Sequence, residues 1–178
     1  MSTLGLTTSY LTDLGQRLMP KTFSAVVSSD HIKDGFPSFC KSRALIINTL
    51  RARYKHGGHW VALFYDKATD KFHFFDPYGD DYKSNKDITK FLQKSKKKVK
   101  CHRQMIQSLL STFCGFHALA FLIHLDRHLP SRVFFQLYVK QQKSSEGGGG
   151  GGEELSDDAL LLNDDITLEY IKSSIKQL

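Results

Sequence analysis

A thiol, an imidazole, a carboxylate and a side-chain amide mark this chain in the order His59, Asp76, Gln107, Cys114. A free thiol is mostly protonated at neutral pH. It becomes a strong nucleophile when an imidazole takes its proton, and the imidazole in turn needs a third group to orient it. Cys114, His59 and Asp76 are of the types that can divide these tasks, and Gln107 can donate its amide to an oxyanion. The chemistry they suit is attack of a thiolate on an acyl carbon. A lone cysteine carries no such message, since it is more often a core residue, and a lone histidine is usually packed or at the surface. The conjunction of four types in this order is what points to a site.

Local elements must bring these groups together. His59 to Tyr65 and Lys71 to Asp76 are strand-like runs separated by turn-compatible residues, the pattern of a β-hairpin. With a loop of Asp66 to Thr69, Tyr65 faces Asp70 and His59 stands directly opposite Asp76, roughly 5 Å apart at Cβ. From Gly115 to His128 the chain is apolar on nearly all sides, as in a helix buried in the domain centre, and Cys114 stands at its start. A helix N-terminus carries partial positive charge and favours a thiolate. Around these, helices are expected over Leu6 to Leu18 and Asp87 to Gln93, and strands over Ala44 to Arg53 and Val99 to Gln107. Asp164 and Asp165 read as the N-cap and first turn of a final amphipathic helix, docking through Ile166, Tyr170 and Ser174 with Leu168, Ile171 and Ile175.

The 178 residues, 40% of them hydrophobic, suit one domain spanning 1–178 with a substantial core. Residues 144–156 include six consecutive glycines and read as a flexible loop, with 157–178 a helical segment returning to the body. There is neither a charged leader with an apolar stretch nor a run of eighteen apolar residues, so an intracellular protein is expected. Cys40, Cys101 and Cys114 are too few and odd in number for a disulfide framework, which favours reduced thiols. The net charge of +7 hides a division: residues 146–178 hold eight acids and two lysines, leaving +13 on the first 145. Such a body suits a polyanion, although surface lysines also serve simply as a solubilising coat. His56 with His59, and Cys114 with His117, have spacings found in zinc sites, but a zinc site leaves Gln107 and the His–acid pair unexplained, so no metal is expected.

The motifs His59-Trp60, Phe75-Asp76-Pro77-Tyr78-Gly79, Gln107 with Ser111, and Phe113-Cys114-Gly115 resemble those of the adenovirus endoprotease family, in the wider clan that includes SUMO-specific proteases. Phe36-Pro37, Ile47-Asn48-Thr49, Gly57-Gly58 and the final helix around Asp165 to Ile175 are similar as well. The resemblance implies an α+β fold, a mixed β-sheet with a buried central helix carrying the nucleophile at its N-terminus and peripheral helices, as in papain-like enzymes. It implies Cys114 as nucleophile, His59 as base and then acid, Asp76 as orienting carboxylate and Gln107 as oxyanion donor. Most members have Glu where this chain has Asp76, so a longer His–acid contact is expected here.

By the same resemblance the protein is a monomeric viral thiol endopeptidase. It would cleave capsid or core precursors after glycine, at Leu/Ile/Met-x-Gly sites, in the host nucleus and the virion. Family members are stimulated by a disulfide-linked capsid-derived peptide and by viral DNA. Cys101 is the nearest candidate for the peptide, although it lies closer to Gln107 than the family cysteine does. Lys94, Lys96, Lys97, Lys98, Lys100 and Arg103 are the candidates for DNA, against the plainer reading of a solvated loop. No cofactor is required for the chemistry itself. No glycine here follows Met, Ile or Leu at the family's interval, so no self-processing is expected. Two alternatives remain: a protease removing SUMO- or ubiquitin-like modifiers, and a non-catalytic DNA-binding packaging protein.

Overall fold

Val61 to Tyr65 are buried at every position, so the sheet that contains them must be covered on both faces. The computed structural model describes residues 7–54, 58–138 and 157–177. Strands β1 (Phe23–Ser28), β2 (Arg43–Asn48), β3 (Trp60–Asp66), β4 (Lys71–Phe75) and β5 (Lys98–His102) form one sheet in chain order. β2, β3 and β4 run antiparallel, while β1 is parallel to β2 and β5 is parallel to β4. The helices are α1 (Thr8–Leu18), α2 (Ile32–Gly35), α3 (Lys86–Ser95), α4 (Cys114–Asp126), α5 (Ser131–Gln136) and α6 (Asp157–Lys176).

Alternation along the strands sorts side chains between two apolar layers. Ala44, Ile46, Ala62, Phe64 and Phe75 pack with residues of α1, α4, α5 and α6. Leu45, Ile47, Val61, Leu63, Tyr65, Phe72 and Phe74 pack on the other face with Ile32 of α2 and with Ile88 and Leu92 of α3. α3 makes the crossover needed between the parallel strands β4 and β5. Asn85 caps it by accepting from the Asp87 and Ile88 amides, and the left-handed Lys96 ends it. Eleven of the thirteen residues of α4 are buried, against β3, β2 and the neighbouring helices. Among the described residues no helix is long and apolar enough to cross a membrane.

Several boundaries differ from expectation, for identifiable reasons. The β3–β4 hairpin pairs Asp66 with Lys71 and Tyr65 with Phe72, two residues away from the expected register. Continued outward, that register sets Asp76 against Val61 and Tyr78 against His59. Because side-chain direction repeats every two residues, the shift leaves His59 and Asp76 on a common face, as diagonal neighbours instead of direct partners. β2 stops at Asn48, where its pairings with both β1 and β3 end, and Leu50 N–H folds back onto Asn48 Oδ1. β5 stops at His102, opposite the last residue of β4, because no strand remains for residues 103–107 to pair with. α6 begins at Asp157, so Asp164 lies inside the helix and caps nothing. The Gly-rich stretch 144–156 and His56 lie outside the described residues.

Phe72 is fully buried, with Phe36, Phe39, Tyr65 and Phe91 ring centroids 5.2–5.9 Å away. Phe72→Ala is expected to cost about 3–5 kcal/mol in urea unfolding, whereas a loss below about 1 kcal/mol would mean that this layer is not close-packed.

Candidate active site

His59 stands one residue before β3, held there by Thr49. Its carbonyl accepts the Thr49 N–H at 2.8 Å and its own N–H reaches Thr49 Oγ1 at 3.3 Å. The preceding Gly58 has φ +97°, and a Cβ there would collide with the Asn48 side chain, so only glycine lets the chain enter β3 by this route.

Asp76 follows β4 directly and is buried. His59 Nε2 donates to Asp76 Oδ1 at 2.6 Å, a close contact where a longer one is expected from the shorter carboxylate. The same oxygen accepts the Tyr78 N–H at 2.8 Å, so a tight turn fixes the carboxylate from the backbone side. Gly79 N–H closes that turn on Asp76 C=O at 2.8 Å. Gly79 has φ +76°, and a Cβ on it would lie 2.7 Å from Arg103 C=O.

Gln107 lies in the segment between β5 and α4, in irregular backbone where a strand is expected. Pro77 C=O accepts the N–H groups of both Ile106 and Gln107, at 3.0 and 3.1 Å, which ties this segment to the Asp76 turn. The fully buried Gln107 side chain donates from Nε2 to Ser111 C=O at 2.9 Å and to Tyr78 OH at 3.3 Å. Cys114 opens α4 and is 9% exposed. Ser111 Oγ accepts the Phe113 N–H at 3.1 Å, which fixes the backbone entering the helix.

Burial alone would push the His59 ring down. Its hydrogen bonds to Asp76 and Cys114, with the charges of both, outweigh burial and push its pKa up to about 9 from 6.5. Since Nε2 is taken by Asp76, Nδ1 is the ring nitrogen left for the Cys114 thiol. A ring that stays cationic while largely buried between a carboxylate and a thiol is what a thiolate–imidazolium pair requires.

α6 holds the Gln107 segment from the other side. Asp157 Oδ1 accepts from Ser108 Oγ at 3.1 Å and Leu109 N–H at 3.2 Å, and Asn163 Nδ2 donates to Ile106 C=O at 2.8 Å. Asp164 accepts from Ser111 Oγ at 2.8 and 3.0 Å and lies 3.0 Å from Nε2 of His117 on α4. Burial pushes His117 down although Asp164 opposes it. A neutral His117 is therefore hydrogen-bonded between Asp164 and Thr167. Asp157 and Asn163 have no sequence motif to announce them, Asp164 reads from sequence only as a cap, and Tyr78 lies in the Phe75–Gly79 motif without a role of its own. The Asp-Pro-Tyr-Gly turn was the one available signal.

Other candidates lie elsewhere. Cys101 is half-buried on β5, in the layer that faces away from α4. Burial pushes its thiol up, with hydrogen bonds from the Tyr82 backbone and Arg103 opposing. Of the basic cluster, Lys97 pairs with Asp70 at 2.8 Å, Arg103 pairs with Asp81, and Lys100 Nζ donates to Ser131 Oγ at 3.1 Å. Lys94, Lys96 and Lys98 are exposed along the end of α3 and the start of β5. The cluster therefore follows the sheet edge, partly neutralised by ion pairs.

The fold and these motifs define a thiol peptidase: the protein is a cysteine peptidase. Residues 29–142 match the family model of the adenovirus endoprotease, and the chain belongs to that family. Among solved structures it is similar to the ASFV pS273R protease, at 15% identity and a TM-score of 0.55, covering 91% of this chain and 66% of that one. It is also similar to the SUMO protease Ulp1, in a form with the catalytic cysteine oxidized to a sulfinic acid, at 9% identity and a TM-score of 0.49, covering 96% and 78%. No curated protein matches the chain significantly.

Three measurements test this geometry. The His59 ring, followed by NMR, should titrate near 9, and Asp76→Asn should lower that midpoint markedly; a wild-type midpoint near 6.5 would dissolve the pairing. A pKa raised on folding contributes stability that is whole below about 6.5 and is lost as pH rises through about 9, so the urea midpoint should fall over that window. Gly79→Ala, forced into a left-handed backbone against Arg103 C=O, should cost more than about 1–2 kcal/mol. A neutral Gly79→Ala would show that the turn has other conformations open to it.

Proposed function

We propose that Cys114 is the nucleophile of a viral thiol endopeptidase that cleaves virion precursor proteins after glycine, at Leu/Ile/Met-x-Gly sites, in the host nucleus and the maturing particle. The 2.6 Å contact from His59 Nε2 to Asp76 Oδ1 carries the catalytic part, because it leaves Nδ1 free for the thiol with the ring cationic. Family membership supports the substrate class. The Cys114 thiolate attacks the scissile carbonyl carbon. The carbonyl electron pair moves onto oxygen, which accepts hydrogen bonds from Gln107 Nε2 and Cys114 N–H. Collapse of this intermediate breaks the C–N bond as His59 gives its proton to the departing amine, leaving a thioester on Cys114. His59 then takes a proton from water, the resulting hydroxide attacks the thioester, and collapse releases the acid and expels the Cys114 thiolate beside the imidazolium.

Cys101 and the cationic sheet edge are proposed for activators, a capsid-derived peptide and viral DNA respectively. The half-exposed position of Cys101 and the excess positive charge of the body support these assignments.

Cys114→Ala should abolish cleavage of a Leu-x-Gly-Gly peptide while leaving the thermal unfolding profile in place. Gln107→Ala should lower kcat by about 10²–10³ with a smaller effect on KM. A Cys114→Ala enzyme that still turns over would remove the nucleophile assignment. Faster cleavage of a diglycine-tailed ubiquitin-like fusion than of a capsid-type peptide would replace virion maturation with deconjugation. If wild type cleaves neither, with or without DNA and peptide, the packaging-protein alternative takes precedence.

A further inference from the structure

Tyr78 touches three of the four proposed catalytic residues. Its N–H holds Asp76 Oδ1 at 2.8 Å, and its ring stacks on the His59 imidazole with centroids 4.5 Å apart and planes 21° apart. Its hydroxyl oxygen lies 3.3 Å from Gln107 Nε2. The direction of this last bond is settled by the neighbouring carbonyl. Ser111 C=O can only accept, so the Gln107 atom 2.9 Å from it must be nitrogen, and Tyr78 therefore meets a donor. The phenol is the acceptor in this pair, and its own proton is left over. Among the described residues no acceptor takes it. Burial, then the charges of Cys114, Asp76 and Asp164, push the phenol further up, so the group remains a protonated donor wherever the enzyme works.

The ring position keeps that donor beside the reacting groups. Stacking on His59 prevents the phenol from swinging away without exposing the imidazole, and its hydroxyl is held 3.3 Å from Gln107 Nε2. The 3.3 Å contact to Gln107 is long for an N–H···O bond, so Gln107 can turn its N–H to an arriving oxyanion at little cost.

We propose that Tyr78 is a further catalytic residue, its hydroxyl donating to the oxyanion formed when Cys114 attacks, beside Gln107 Nε2 and Cys114 N–H. The negative charge then meets a second side-chain donor among preorganised, partly buried groups, which are worth more there than in water. This rests on the reading of Cys114 and Gln107 given above, and no proton is transferred in the step.

Tyr78→Phe isolates the hydroxyl, since it keeps the ring, the stacking and the backbone N–H. With a peptide amide substrate kcat should fall about 10- to 100-fold while KM stays within about twofold. Affinity for a peptide aldehyde, whose adduct with Cys114 carries an oxyanion-like oxygen, should fall in parallel. The rate of Cys114 alkylation by iodoacetamide should be unchanged, because alkylation forms no oxyanion. An unchanged or raised kcat in Tyr78→Phe overturns the proposal, and if Gln107→Ala is impaired in the same assay, only the tyrosine assignment falls. If both variants keep full kcat, the oxyanion site itself is misassigned and both readings fall. Loss of alkylation in step with kcat also overturns the proposal, placing the defect in the thiolate–imidazolium pair.

Discussion

The turn from Asp76 to Gly79 is the constraint on which the site depends. Four residues leaving β4 present a carboxylate to His59 from Asp76, a carbonyl to the Ile106 and Gln107 amides from Pro77, and a ring to the imidazole from Tyr78. The arrangement requires a left-handed residue in close contact with another backbone, and Gly79 provides it. Strand order explains why the turn can reach so much. β4 lies between β3, which carries His59 at its entrance, and β5, whose continuation carries Gln107. A bend at the end of a central strand is therefore adjacent to both neighbouring chain segments at once.

Charge is kept inside this arrangement by balance. Burial works against a cationic His59, and the bond to Asp76 with the nearby thiol more than offsets it. His117 shows the opposite outcome one turn into α4: burial prevails over Asp164, and the ring is pushed down. The two histidines each face a carboxylate and differ in burial, His117 being fully enclosed where His59 is partly exposed, and in whether a second acid is present. Cys114 supplies that for His59, whereas Thr167, a neutral hydroxyl, occupies the corresponding side of His117.

What could be read from the residues divides along physical lines. Period-two alternation marked the β3–β4 hairpin, and its error of two residues in register spared the His59–Asp76 relation, because an even slip preserves faces. Runs of apolar residues marked α4. The backbone ending of β5 was invisible locally, since it falls where β4, its partner, ends and turns away rather than at a strand-breaking residue. Of α6 only the cap was misread, since Asp164 lies inside the helix, while Ile166, Tyr170, Ile171, Ser174 and Ile175 dock as expected. Its buried seam is Leu160, Asn163, Thr167, Ile171 and Ser174, three of them polar, and polar side chains on a buried face do not register in a hydrophobic pattern. Their partners, Ile106 C=O for Asn163 and His117 for Thr167, lie about fifty residues away. Pairings over that separation leave no trace in local composition.

The choice of aspartate at position 76 follows from the same turn. Where the family most often has a longer carboxylate, this chain has one with a single methylene, yet the imidazole contact is 2.6 Å. Asp76 Oδ1 also accepts the amide two residues ahead, a bond suited to a short side chain folding over its own backbone. A glutamate there would reach the imidazole while projecting past that amide, leaving the Tyr78 N–H to find another acceptor. Tyr78 would then lose one of its three anchors, and its hydroxyl could no longer be held beside Gln107 with the same rigidity. The short acid and the tyrosine thus form one unit, in which the backbone bond that orients the carboxylate also aims the phenol.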